Sequence, residues 1–150
     1  MDLSRFKWPL ILAAVFLLGW LLTNPGVSFV HQRLRDRPVG ESAEADKATE
    51  AGLTRLGWFL IRTFRYKKAQ EVLDDAIDLY PEGENVLLNY YRLAKVEEKL
   101  GNYVESVRIL RYLEDIDAHS MNSDVPESSN LKLRADKIME LHDLGEIQSY

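Results

Sequence analysis

The chain has 150 residues and a net charge of −5, a length that suits one compact domain with an anchor or tail and argues against two independent soluble domains. It has no cysteine, which excludes disulfides, thiolate zinc sites and cysteine nucleophiles together. Residues 1–40 carry a net +3 and residues 41–150 a net −8, which marks a boundary near residue 40; with no basic stripe interleaved with aromatics, nucleic acid is not expected as a partner.

The first element is an uncharged apolar run from Trp8. Residues 8–30 read WPLILAAVFLLGWLLTNPGVSFV, and 23 residues at about 1.5 Å each span roughly 34 Å, enough for a hydrocarbon layer of about 30 Å. Pro9 suits a first turn, Trp8 and Trp20 suit the two interfaces, and Asn24-Pro25-Gly26 marks an exit or kink. The expectation is therefore a tail and transmembrane helix over residues 1–30, touching the lipid bilayer through residues 8–30. The alternatives are a cleaved signal peptide, with Arg5 and Lys7 as its basic leader, and a buried helix. Arg5 and Lys7 nearly balance Arg33, Arg35 and Arg37 across the run, so charge leaves the orientation open. The layout resembles bacterial inner-membrane anchored proteins, which implies a single-pass protein with its domain in the periplasm.

Residues 31–44 include Pro38 and Gly40 among many charges and read as a juxtamembrane linker, with helix beginning near Ser42. From Ala45, Leu53, Leu56, Leu60 and Phe64 recur at helical spacing. A second face follows, with Ala69, Val72, Leu73, Ala76 and Tyr80, and Pro81-Glu82-Gly83 stops it. The pattern returns with Tyr90, Leu93, Ala94 and Leu100, then a turn at Gly101-Asn102-Tyr103, then Ser106, Val107, Leu110 and Leu113. A last helix is predicted through Leu131, Ala135, Ile138 and Met139, capped by Ser128 or Ser129. Leu144-Gly145-Glu146-Ile147 then echoes the earlier turn.

A recurring helix pair of this kind resembles tetratricopeptide repeats. The spacing Leu53-x2-Leu56-Gly57-x2-Leu60 is similar to the family's first-helix pattern, and Ala69-x3-Leu73, Ala76 and Pro81 to its second helix and terminator. The second unit departs from the pattern, with Glu97 at an apolar position and Ala118 in place of proline. The step from Tyr66 to Tyr103 is 37 residues where the family has about 34, and the Gly83-Glu84-Asn85 loop is the natural place for the excess. The expected fold is all-α: one N-terminal transmembrane helix and a short tetratricopeptide-like α-solenoid over residues 45–150. Its parts are a repeat at 50–83, a divergent repeat at 87–118 and a half-repeat at 128–150, the last being either a cap on the stack or the start of further repeats. A plain helical bundle of four or five helices is the rival.

The resemblance implies a concave face that holds a peptide or helix, formed by Thr54, Trp58, Ile61 and Arg62 in the first unit and Leu88, Tyr91, Lys95 and Lys99 in the second. The family's clamp for chaperone tails is not reproduced, because Thr54 and Trp58 occupy two of its places. Trp58 stands opposite Leu56 and Leu60, where packing within the unit does not need it. Gly57 and Ala69 mark the helix crossing, where a larger side chain would push the backbones apart. The tyrosines Tyr80, Tyr90, Tyr91, Tyr103 and Tyr112 read mainly as core.

No catalytic, cofactor or metal motif is present. His31, His119 and His142 share no ligand spacing and read as surface residues, and Glu114, Asp115, Asp117, Asp124 and Glu127 read as a solvated helix end. The function this implies is a non-catalytic scaffold: an accessory subunit of a larger membrane protein complex, with other subunits as partners and no cofactor or small-molecule substrate. The competing reading is a membrane-tethered assembly or quality-control factor that visits clients transiently.

Overall fold

The computed structural model describes residues 7–21, 23–145 and 147, and it is all-α: these residues form eight helices and no strand. Arg5 of the expected leader, Glu146 of the repeated turn and the last residues of the expected half-repeat lie outside the described residues. The chain divides into two compact units, Met1–Arg37 and Pro38–Tyr150.

In the first unit, α1 (Lys7–Leu21) and α2 (Asn24–Arg35) are separate helices. Thr23 divides them. Its N–H and its hydroxyl both donate to the Trp20 carbonyl, at 2.9 and 2.6 Å, and its extended backbone (φ −77°, ψ 163°) cannot continue a helix. The same Oγ1 accepts the Gly26 N–H at 3.4 Å, an N-cap that opens α2 with Pro25 in its first turn. The Trp20 and Phe29 rings then meet with centroids 5.9 Å apart.

This overturns the expected transmembrane span. The apolar run is cut after 15 residues of α1, about 22 Å of helix against a hydrocarbon layer of about 30 Å. Among the described residues no helix is long and apolar enough to cross a membrane. The single-pass inner-membrane placement and the bilayer contact through residues 8–30, both built on that span, are corrected with it. The expected linker is also shorter than residues 31–44, because α2 continues to Arg35.

The second unit begins its helices with Ser42, whose Oγ accepts the Ala45 N–H at 3.1 Å, with Glu44 and Asp46 favouring the positive first turn of α3 (Ala43–Arg62). Then come α4 (Tyr66–Leu79), α5 (Val86–Leu100), α6 (Tyr103–Asp115), the single turn α7 (Ala118–Met121) and α8 (Ser128–Leu141). Packing is sequential: α3 on α4, α4 on α5, α5 on α6 and α6 on α8, with a lighter contact between α3 and α5. A stack in which each helix meets its neighbours is compatible with a helical-repeat fold.

The core of the first pair holds Leu53, Leu60, Ala69, Val72, Leu73 and Ala76, each fully buried. Burial on this scale stabilises by about 1.5–3 kcal/mol for each leucine. Gly57 is the close approach: a Cβ there would stand 2.6 Å from Leu73 Cδ2. Phe64 does not join this core. The helix ends at Arg62, Phe64 turns to φ +60° and its ring is exposed, edge-on to Tyr66 at 6.2 Å.

Two buried carboxylates replace apolar packing at the joints. Glu50 reaches across to the turn after α4, where its Oε1 accepts the Asn85 N–H at 2.6 Å. Asn85 opens α5, so the negative charge sits at a positive helix end. Gly83 makes room for it, since a Cβ there would collide with Glu50 Oε1. Glu97, at the position expected to be apolar, accepts the Gln70 and Asn102 side-chain amides, each at 2.6 Å. One carboxylate thus ties α4, α5 and the α5–α6 turn together.

The second pair is fastened by Ser106, whose hydroxyl donates to the Ala94 carbonyl at 2.7 Å beneath buried Val107, Leu110 and Leu113. No proline is needed to end α6, because Asp117 adopts φ +49° and turns the chain, leaving Ala118 buried. Leu131, Ala135 and Ile138 seat α8. Neither Ser128 nor Ser129 caps it. Glu127 is the N-cap residue, and the Ser128 hydroxyl donates to Asp117 Oδ1 at 2.9 Å.

Candidate protein-binding face

The alternate helices α3 and α5 touch, and the groove they form gathers several of the expected residues. A cleft of about 240 Å3 is lined by Thr54, Trp58 and Leu88 together with Ala51, Arg55, Asn85 and Arg92. Trp58 leaves half its surface exposed, and the Arg62 guanidinium lies 5.5 Å from its ring centroid. Further along α5, Lys95 Nζ sits 5.4 Å from the Tyr91 ring centroid. Each is a cation over an aromatic face, which holds the ring in place.

The eight residues differ in what they offer. Thr54 is buried, donates its hydroxyl to the Glu50 carbonyl at 2.9 Å and so forms part of the floor. Leu88 is also nearly buried. Ile61, Tyr91 and Lys95 are half-buried, whereas Trp58, Arg62 and Lys99 are exposed. Arg92 was not among the expected residues, yet it joins the two helices by donating from Nη1 to the Thr54 carbonyl at 2.9 Å. Its signal was available: Arg92, Lys95 and Lys99 stand at three- and four-residue steps, on one side of a helix.

The face is electropositive on an acidic chain. Burial lowers the Lys95 pKa, and the nearby cations Arg134 and Arg92 lower it further, with Glu98 acting the other way and Lys99 adding to the depression. Burial likewise lowers Arg92, offset by Asp124. Glu98 is itself engaged, accepting from Arg134 Nε and Nη2 at 3.0 and 2.7 Å.

Acid crowds a different place. The Asp74 carboxyl is pushed up to about 6, first by partial burial and then by Glu97, Asp78, Asp75 and Glu105. The folded protein therefore holds this proton to higher pH than the unfolded chain, whose value is near 3.8, and stability falls as pH rises from about 4 to about 6. Asp74→Asn removes that loss. Because the carboxylate still meets solvent, which screens it, the expected gain at pH 7 is only about 1 kcal/mol, fading to none near pH 4; thermal melts at the two pH values check it.

His119 Nδ1 lies 2.7 Å from the Val125 carbonyl, His142 stacks on Tyr103 at 3.4 Å, and His31 is buried where a surface position was expected. Glu114 pairs with Arg111 at 2.7 Å. Of the tyrosines, Tyr80 is buried and Tyr90 meets Tyr112 edge-on at 5.4 Å, while Tyr91 and Tyr103 are half-buried. Among the described residues no group of three or more His, Cys, Asp or Glu is arranged to hold a metal ion.

Comparison with known proteins gives no relative: no family model, no curated protein and no solved structure matches the chain.

Proposed function

We propose that this chain is a tetratricopeptide-like interaction module, a non-catalytic scaffold that holds a protein partner against the α3–α5 groove. The observation that carries the reading is Trp58. A large aromatic half-exposed at a cleft, pinned by Arg62 and unused by the core, is costly to leave in water and is a common anchor for a partner. The sequential packing of the helices supports the repeat reading, and the repeat reading supplies the concave geometry.

A groove built from two helix pairs is small, which favours a fixed place in a larger assembly over a free peptide receptor. The accessory subunit is thus the preferred role, and a transient assembly factor the second. Trp58→Ala is expected to leave the thermal midpoint nearly unchanged while weakening association with the co-purified partner by at least about tenfold, corresponding to the roughly 1.4 kcal/mol or more of an interface anchor. Thermal melts and a binding titration measure the two effects separately. A large loss of stability would reassign Trp58 to the core and withdraw the groove.

A further inference from the structure

We propose that the partner segment held by this groove is an acidic peptide, gripped by carboxylates at Arg92 and Lys95 while its apolar side chains rest on Trp58 and Tyr91. The inference deepens the scaffold reading and rests on it.

Four observations converge. The chain is acidic as a whole, with a net charge of −5, yet the face of α3 and α5 presents Arg55, Arg62, Arg92, Lys95 and Lys99. None of these five holds a carboxylate in an ion pair among the described residues, whereas other cations of the same unit, Lys68, Arg108, Arg111 and Arg134, do. Glu98, the acid that acts on Lys95, is already occupied by Arg134 through two hydrogen bonds. Finally, Lys95 and Arg92 are half-buried, and burial lowers both pKa values more than Glu98 and Asp124 raise them, a balance that an arriving anion would shift back.

The chemistry selects a peptide over a nucleic acid. The cleft of about 240 Å3 sets Arg55 and Arg92 beside Trp58 and Leu88, and Tyr91 and Lys95 follow along α5, which matches side chains spaced along an extended strand. A duplex or long single strand would also need a basic surface well beyond the groove, and α4 and α6 carry the acids Asp74, Asp78 and Glu105 close together.

The test uses the full chain and a random dodecapeptide library displayed on phage, followed by titration of the recovered peptides as fluorescein conjugates. The expected result is a set rich in Asp and Glu with interspersed apolar residues. Affinity should fall about tenfold or more in Lys95→Glu and with rising salt. Circular dichroism verifies the fold of that variant, and Lys95→Met, which keeps the aliphatic stem over Tyr91, should weaken binding in the same direction if the reversal disturbs folding. Recovery of neutral or basic peptides that lose binding in Trp58→Ala would overturn the acidic partner and keep the groove. Acidic peptides indifferent to both Lys95 variants would overturn the proposed grip, and an oligothymidine probe binding more tightly than any peptide would replace it with nucleic acid. Failure to recover any peptide whose binding depends on Trp58 or Lys95 would overturn the scaffold reading itself.

Discussion

Gly57→Leu is expected to destabilise the Pro38–Tyr150 unit by roughly 1–3 kcal/mol or more, visible as a lower thermal midpoint and a lower denaturant midpoint. The cause is local and geometric. A Cβ at Gly57 would stand 2.6 Å from Leu73 Cδ2 and 3.0 Å from Leu73 Cγ, far inside ordinary contact. Leu73 is fully buried among Val72, Ala69 and Leu60, so it has no open volume to move into. Relief must come from moving α3 away from α4, which loosens their whole interface. A melt indistinguishable from that of the parent chain would mean that the two helices do not cross at this residue.

Gly83→Val is expected to cost a similar amount, about 1–3 kcal/mol, for a different reason. The new side chain would occupy the place of the Glu50 carboxylate, both of whose oxygens lie within 3 Å of where the valine Cβ would stand. Glu50 cannot leave without stranding the Asn85 N–H, and it cannot stay with its charge unshielded in a buried site. The double variant Glu50→Ala with Gly83→Val separates the parts. If steric conflict dominates, the double variant recovers stability relative to Gly83→Val; if the lost hydrogen bond dominates, it does not, and urea denaturation of Glu50→Ala, Gly83→Val and the double variant reads the difference.

The interior of the Pro38–Tyr150 unit was legible because helical periodicity reports burial directly. Ala69, Val72, Leu73, Ala76 and Tyr80 fall on one face by spacing alone, and all are buried. Gly57 was legible too, since a small residue between leucines has few uses other than a close helix approach. What spacing could not convey was where a helix stops. Phe64 continues the apolar rhythm of α3, but the chain has already turned at Thr63, and nothing in a periodic pattern records that.

The N-terminal misreading has the same origin. No charge interrupts residues 8–30, so a hydropathy count sees one element with an exit at Asn24-Pro25-Gly26, while the break is made by one hydroxyl and one N–H of Thr23 folding onto the Trp20 carbonyl. Composition averages over such local hydrogen bonds. The cleft was half legible: the expected Thr54, Trp58 and Leu88 line it, whereas Arg92, whose spacing with Lys95 and Lys99 marked its side of α5, owes its place to the carbonyl of Thr54 on another helix. Glu97 looked like a flaw in the pattern because its two amide donors come from Gln70 and Asn102, 27 residues before it and five after it.

That carboxylate also gives the order of the helices a direction. In a solenoid of interchangeable units any repeat can follow any other, since each joint is made of the same apolar contacts. Here the joint between the pairs works only when a helix bearing Gln70 precedes one bearing Glu97 and the turn after it supplies Asn102. Deleting or transposing the first pair would take Gln70 away from Glu97 and leave a buried carboxylate with Asn102 alone. The α5–α6 pair is therefore keyed to the helix that precedes it: a second copy set after it would meet α6, which carries no Gln70.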